Sequence, residues 1–311
     1  MHVHAPAGDN VLSKVVNWMI NTKPIFGVMR LGAKNAMKST TSKAGIDWDG
    51  HVRKMQQTAE LQQLFQEFSQ QPHPNLQYPS YYTMPFHAYE DGNLNWQRRS
   101  QCCGWQCKPS GLGADLLPAQ GRLSADAAAC VLVTALLHSR TPQAYHSRHG
   151  LAAPGSILDV GCSTGISSRW YQRAYPGAAI TGLDLSPYFL AVAEAEERRR
   201  TAADPSIKRI SFERGLAEST GYADGSWDLA VFSFIAHECP QQALRDFVRE
   251  ARRIIKPGGV VCFVDNNPRS KTIQNLPPVL FTLMKSTEPW TDEYYSFDLE
   301  AALGKEALTM W

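Results

Sequence analysis

The chain has 311 residues, 43% of them hydrophobic and 19% charged, and its 31 basic and 29 acidic side chains leave a formal charge of +2. That balance excludes the strongly basic surface that grips nucleic acid, and the apolar content excludes a disordered chain. No apolar run approaches the ~20 residues that span a bilayer, so a soluble or peripheral protein without a transmembrane segment is expected.

Residues 1–70 read as helical. Val11 to Lys43 carries Lys14, Lys23, Arg30, Lys34, Lys38 and Lys43 with no acid, and Val15, Val16, Trp18, Met19 and Ile20 gather near its start. The segment reads as an organellar transit peptide, as an interfacial helix giving residues 11–43 peripheral membrane contact, or as a solvated helical cap. The helix signalled by Ala59 to Phe65 favours the cap. Tyr78 to Trp96 is aromatic-dense and broken by prolines, unsuited to a long helix. Its aromatics either fill a seam between cap and core or build a wall of an acceptor pocket, with Tyr82, His87 or Tyr89 touching the substrate.

Cys102 to Leu123 is rich in Cys, Gly, Pro and Ser and reads as an exposed insertion. Cys102, Cys103, Cys107 and Cys130 include no Cys-x-x-Cys pair and no nearby histidine set, so no metal site is expected. Seven cysteines without a secretory signal point to reduced thiols inside the cell. The compartment is then the cytoplasm, or a plastid or mitochondrion if the basic start is a transit peptide. A helix over Ala125 to His138 leads into the core.

Ile157-Leu158-Asp159-Val160-Gly161-Cys162-Ser163-Thr164-Gly165 is an apolar strand that runs into a glycine turn, with a helix able to start at Ile166. Such a turn lets backbone approach a ligand closely. Ile180 to Asp184 is a second strand ending in an acid, followed by Ser186 as a helix cap and Pro187 at the first helical position. An acid there can accept hydrogen bonds from both ribose hydroxyls of a nucleotide-like ligand. The turn reads Gly-x-Ser-x-Gly and lacks the third glycine of the dinucleotide fingerprint, which disfavours pyrophosphate and with it a dinucleotide-dependent reductase. Arg198-Arg199-Arg200 reads as a helix end, where cations complement the macrodipole.

Trp227 to Ile235 follows the turn Ala223-Asp224-Gly225-Ser226 and counts as a fourth strand, running into Ala236-His237-Glu238-Cys239-Pro240. The helix from Gln241 to Ile255 places Leu244, Phe247, Val248, Ala251, Ile254 and Ile255 on one face. Lys256-Pro257-Gly258-Gly259 stops it, and Val260 to Val264 forms a fifth strand.

Four segments, at 158–165, 182–186, 224–229 and 253–259, stand in the order and spacing of a family. Residues 155–268 resemble the class I S-adenosylmethionine-dependent methyltransferases, in particular the type 11 small-molecule group. The resemblance implies a Rossmann-like, doubly wound α/β fold with parallel strands ordered 3-2-1-4-5, an N-terminal helical cap, and S-adenosyl-L-methionine above the ends of the first two strands. Asp159, Gly161, Ser163 and Gly165 would surround its methionine part, with Asp184 and Leu185 at the ribose. Leu216 and Ala217 would keep backbone contacts near the adenine, and Phe232 and Ser233 would be further cofactor-binding residues. Leu216 replaces the family's usual acid, so a carboxylate contact to the adenine amine is expected to be lost.

His237 and Glu238 fall where the family faces the transferred methyl group. Either His237 takes a proton from the acceptor, or it only packs under the cofactor while Glu238 caps the next helix. The expected acceptor is a small organic or lipid-like molecule methylated on oxygen, nitrogen or carbon. The alternative is a catalytically silent methyltransferase-like protein that binds cofactor or a partner.

The stretch after Val264 has hardly room for a further strand, so the family's C-terminal antiparallel hairpin is expected to be missing. The fifth strand should keep an open or helix-covered edge, a place for an oligomer or partner. The expected divisions are 1–122 (cap, aromatic segment and insertion), 123–268 (core) and 269–311 (C-terminal helical segment, expected to be truncated).

Overall fold

The computed structural model describes residues 22, 47, 50, 53, 56–71, 76–84, 92–96, 142–267, 270–275 and 288–305. The basic segment 11–43 (Thr22 apart), His87, Tyr89, the cysteine-rich insertion and the helix expected at 125–138 lie outside the described residues.

Five strands form one sheet: β1 (Ser156–Val160), β2 (Ala179–Asp184), β3 (Ser211–Arg214), β4 (Trp227–Ser233) and β5 (Ile255–Val264). They run parallel in the order β3-β2-β1-β4-β5, the expected arrangement. The central strands read as near-continuous apolar runs because helices cover both faces. One core gathers Ile157, Tyr171, Ile180, Leu190, Phe212 and Val231. The other gathers Leu158, Val160, Leu183, Phe232, Leu244 and Phe247.

The helices among the described residues include α1 (Ala59–Gln70), α2 (Ile166–Ala174), α3 (Pro187–Ala203), α4 (Gln241–Ile254), α5 (Lys271–Gln274), α6 (Thr291–Ser296) and α7 (Leu299–Lys305). Among the described residues no helix is long and apolar enough to cross a membrane. The helical cap is represented by α1, whose Leu61 and Leu64 pack with Ala191 of α3. Beside them Trp96 meets Tyr188 edge-on at 5.1 Å and Phe65 at 5.7 Å, so part of the aromatic segment does fill a seam.

Two local expectations change and one holds. Ser186 precedes α3 but makes no side-chain cap bond; its hydroxyl donates to the carbonyl of Asn93 at 2.9 Å instead. The arginine run does lie at the end of α3, with Arg200 in its last turn before Ala203, and Arg198, Arg199 and Arg200 pair with Glu194, Glu196 and Glu197 one turn back. Lys256-Pro257-Gly258-Gly259 does not separate helix from strand: β5 begins at Ile255, opposite Trp227, and the pairing slips between Trp227 and Leu229. Gly258 sits at φ +80°, and a Cβ on Gly259 would stand 2.9 Å from the Asp228 carbonyl, so the bulge needs both glycines.

Asp228 belongs to this end of the sheet. Its carboxylate accepts from the backbone N–H groups of Gly155 and Ser156 and from the Ser156 hydroxyl, and it pairs with Lys256 at 2.8 Å. This motif acid therefore ties β1, β4 and β5 at their amino ends, opposite the end where a ligand would sit.

Candidate active site

A cavity of about 290 Å³ opens where β1, β2 and β4 end. Its floor begins at the glycine turn. Gly161 and Cys162 both donate to the Leu183 carbonyl, at 2.8 and 3.0 Å, which presses the turn onto β2. Gly161 has φ +71°, and a Cβ there would lie 2.5 Å from a methyl of Ile235, so only glycine fits. Ser163 also adopts a left-handed φ, +50°, with a hydroxyl that is buried and unpartnered. Phe234, just beyond β4, is the second non-glycine residue with positive φ, at +56°. Both strained residues line the cavity, and such backbone outliers gather at functional sites.

Asp184 holds the turn from β2. Its Oδ2 accepts the Ser163 N–H and its Oδ1 the Ser186 N–H, both at 2.8 Å. Burial pushes its carboxyl up to about 6, against the pull of those donors and with a further push from Glu238. A carboxylate has about four lone-pair positions, so room remains for two hydroxyl donors from a ligand.

Gly161, Ser163, Asp184, Leu185, Ala217, Ser233, Glu238 and Tyr82 all line the cavity. Asp159 does not. It is buried beneath α2, where its Oδ2 accepts from the hydroxyls of Ser167 and Ser168 at 2.5 and 2.6 Å, while its Oδ1 has no partner. Burial pushes this carboxyl up to about 7 against those hydroxyls. Gly165 is the left-handed entry to α2 and backs onto Phe212 rather than the cavity. Leu216 is buried off the wall, and Phe232 is core, stacked on Phe263 at 4.6 Å. Ser233 on the floor is fixed from behind by the Tyr171 hydroxyl at 2.7 Å.

His237 faces away from the cavity. Its Nδ1 donates to Asp265 at 2.6 Å, and the other Asp265 oxygen accepts the backbone N–H groups of Ala236 and His237. Burial opposes charge on the ring, but the Asp265 carboxylate outweighs it and holds the imidazole up at about 9. A histidine protonated through neutral pH is a poor proton acceptor; here it fastens the turn after β4 to the end of β5. Glu238 is the member of the pair on the wall, where it accepts from the Asn93 side chain at 3.3 Å.

Sequence reasoning missed Tyr81, Asn93, Phe189 and Glu218 as wall residues. The Tyr81 hydroxyl donates to Glu218 across the chain, and burial raises the Glu218 carboxyl. Glu218 thus lines the cavity from the same loop as Leu216. For Tyr81 and Asn93 the only signal was the density of polar and aromatic residues in their segment.

The family model of a methyltransferase domain matches residues 158–263. Over 160 residues the chain is 28% identical to an uncharacterized methyltransferase of Synechocystis, covering 51% of this chain and 69% of that one. It is 30% identical over 118 residues to a human thiol S-methyltransferase, covering 37% of this chain and 43% of that one. It is 32% identical over 117 residues to the Synechocystis 2-methyl-6-phytyl-1,4-hydroquinone methyltransferase, covering 37% and 34%. The match thus spans less than half of the last two relatives. These similarities span the glycine turn, Asp184 and the bulged β5, and residues 158–263 form a methyltransferase domain similar to those of the class I S-adenosylmethionine-dependent enzymes.

Proposed function

We propose that this chain binds S-adenosylmethionine in the cavity and transfers its methyl group to a small organic or lipid-like acceptor. The observation that carries the reading is the charge of the wall: Asp184, Glu218 and Glu238 line it, and among the described residues no Lys, Arg or His does. Such a wall favours a sulfonium cation and opposes the phosphates of a dinucleotide. The cradle fits too, since Gly161 admits close approach and the Ser163 hydroxyl lacks a protein partner.

On this reading Gly161 and Ser163 hold the amino-acid end, Asp184 the ribose hydroxyls, and Ala217 with Glu218 the base. The bound cofactor supplies a methyl group already activated on a sulfonium sulfur, so the protein contributes chiefly alignment. Glu238 accepts the proton that an oxygen, nitrogen or carbon acceptor releases, with Asn93 fixing its carboxylate. His237 and Asp265 set the turn that presents Glu238.

Calorimetric titration tests the binding half: S-adenosylhomocysteine should bind and NAD should not. The catalytic half is read by incubating metabolite extracts with methyl-labelled cofactor and identifying the labelled product. Binding without any labelled product would favour the catalytically silent reading.

A further inference from the structure

Arg214 closes β3 beside Asp184, to which it is paired in register, and the next residue, Gly215, donates to the Asp184 carbonyl at 3.1 Å. Its side chain is buried but is not part of the cavity wall. The guanidinium reaches the other way. Nη1 donates to the Ser69 and Phe68 carbonyls at 2.9 and 3.4 Å, Nε to the Leu185 carbonyl at 3.3 Å, and Nη2 to the Tyr78 hydroxyl at 2.6 Å. It also lies 5.4 Å from the centre of the Tyr78 ring, and its own backbone N–H donates to Gln71. Ser69 and Phe68 carry the last carbonyls of α1, where the helix dipole favours a cation.

These contacts join one strand end to the segment that crosses the cavity. Tyr78 stacks on Tyr82 at 5.9 Å with the rings 13° apart, and Tyr82 lies on the wall, where burial first, and then Asp184 and Glu238, raise its phenol. The next residue back, Tyr81, donates to Glu218. A lysine has the charge but not the planar fork, so it cannot serve three carbonyls and a phenol at once.

We infer that Arg214 is a positioning residue for the cofactor site: it latches the tyrosine strap, residues 78–82, over the cavity without touching the ligand. This rests on the proposal that the cavity binds S-adenosylmethionine. Ligand affinity then depends on a side chain behind the wall, acting through Tyr82 and Tyr81.

Calorimetry with S-adenosylhomocysteine on the full chain decides it, using Arg214→Lys, Arg214→Ala, Tyr78→Phe and Tyr82→Ala, with circular dichroism confirming that each is folded. Arg214→Lys should weaken binding about tenfold, roughly the loss of one good hydrogen-bonded contact. Tyr78→Phe should weaken it less. The effect of Tyr82→Ala should shrink in the Arg214→Lys background, because an unlatched strap has already given up that contact. Should Arg214→Ala fail to fold, Arg214→Lys and Tyr78→Phe carry the decision. Wild-type affinity in Arg214→Lys, or strictly additive losses with Tyr82→Ala, overturns the inference. Failure of the wild-type protein to bind the compound instead overturns the functional proposal beneath it.

Discussion

The wall made by Gly161, Ser163 and Asp184 and the wall made by Tyr81, Tyr82 and Asn93 face one cavity but are built in different ways. The first is mostly backbone: left-handed residues, a turn pinned to the Leu183 carbonyl, and one acid receiving two N–H groups. The second is made of side chains that reach across the sequence, Tyr81 to Glu218 over 137 residues and Asn93 to Glu238 over 145. A backbone wall is fixed as soon as its strands pair. The side-chain wall holds only as firmly as the contacts that bring the distant segment in, after the entropy of closing that loop is met.

Changes on the two walls should therefore differ in kind. Asp184→Ala should be the most severe, weakening S-adenosylhomocysteine at least a hundredfold, since it removes the proposed ribose acceptor and the partner of two N–H groups; charged hydrogen bonds contribute about 1.5–3 kcal/mol each. Titration calorimetry reads it directly. Gly161→Ala should lower stability by about 1–3 kcal/mol through its positive φ and the clash with Ile235, visible as a reduced melting temperature before any ligand is added. On the other wall Tyr81→Phe should leave the melting temperature nearly unchanged and weaken ligand binding only severalfold; a large fall in stability would show that this wall too is part of the core.

Acidity separates the walls from the latch at His237. The imidazole is held up at about 9 from 6.5, so its contribution to stability is complete below pH 6.5 and fades as the pH rises toward 9. Wild-type melting temperature should fall across that interval, and His237→Gln should flatten the fall. Asp184, raised to about 6 from 3.8, acts differently on binding: its ionised form is the better acceptor, so affinity should drop as the pH falls below about 6. The smallest effect is expected for Ser163→Gly, which relieves a left-handed residue and should raise the melting temperature slightly, about 1 kcal/mol of stabilisation.

What could be read from the sequence follows the same division. The glycine turn and Asp184 were legible because strand ends, glycines and acids carry their meaning within a few residues, whereas the strand order came through the family resemblance of the four motif segments. Asp159 and His237 have motif positions but point away from the cavity, since each finds stronger partners behind it, the α2 serines and Asp265. The bulge at Lys256-Pro257-Gly258-Gly259 looked like a stop because proline and glycine end helices as readily as they deform strands. Asn93 and Tyr81 were legible only as members of an aromatic-dense segment and Arg214 not at all, because their roles exist only once segments far apart in the chain have met.

The most direct measurement is a calorimetric titration of the intact protein with S-adenosylhomocysteine, repeated with Asp184→Ala. Saturable one-site binding that the substitution abolishes is the predicted result; no binding, or equal affinity in both proteins, would contradict the assignment of this cavity to the sulfonium cofactor.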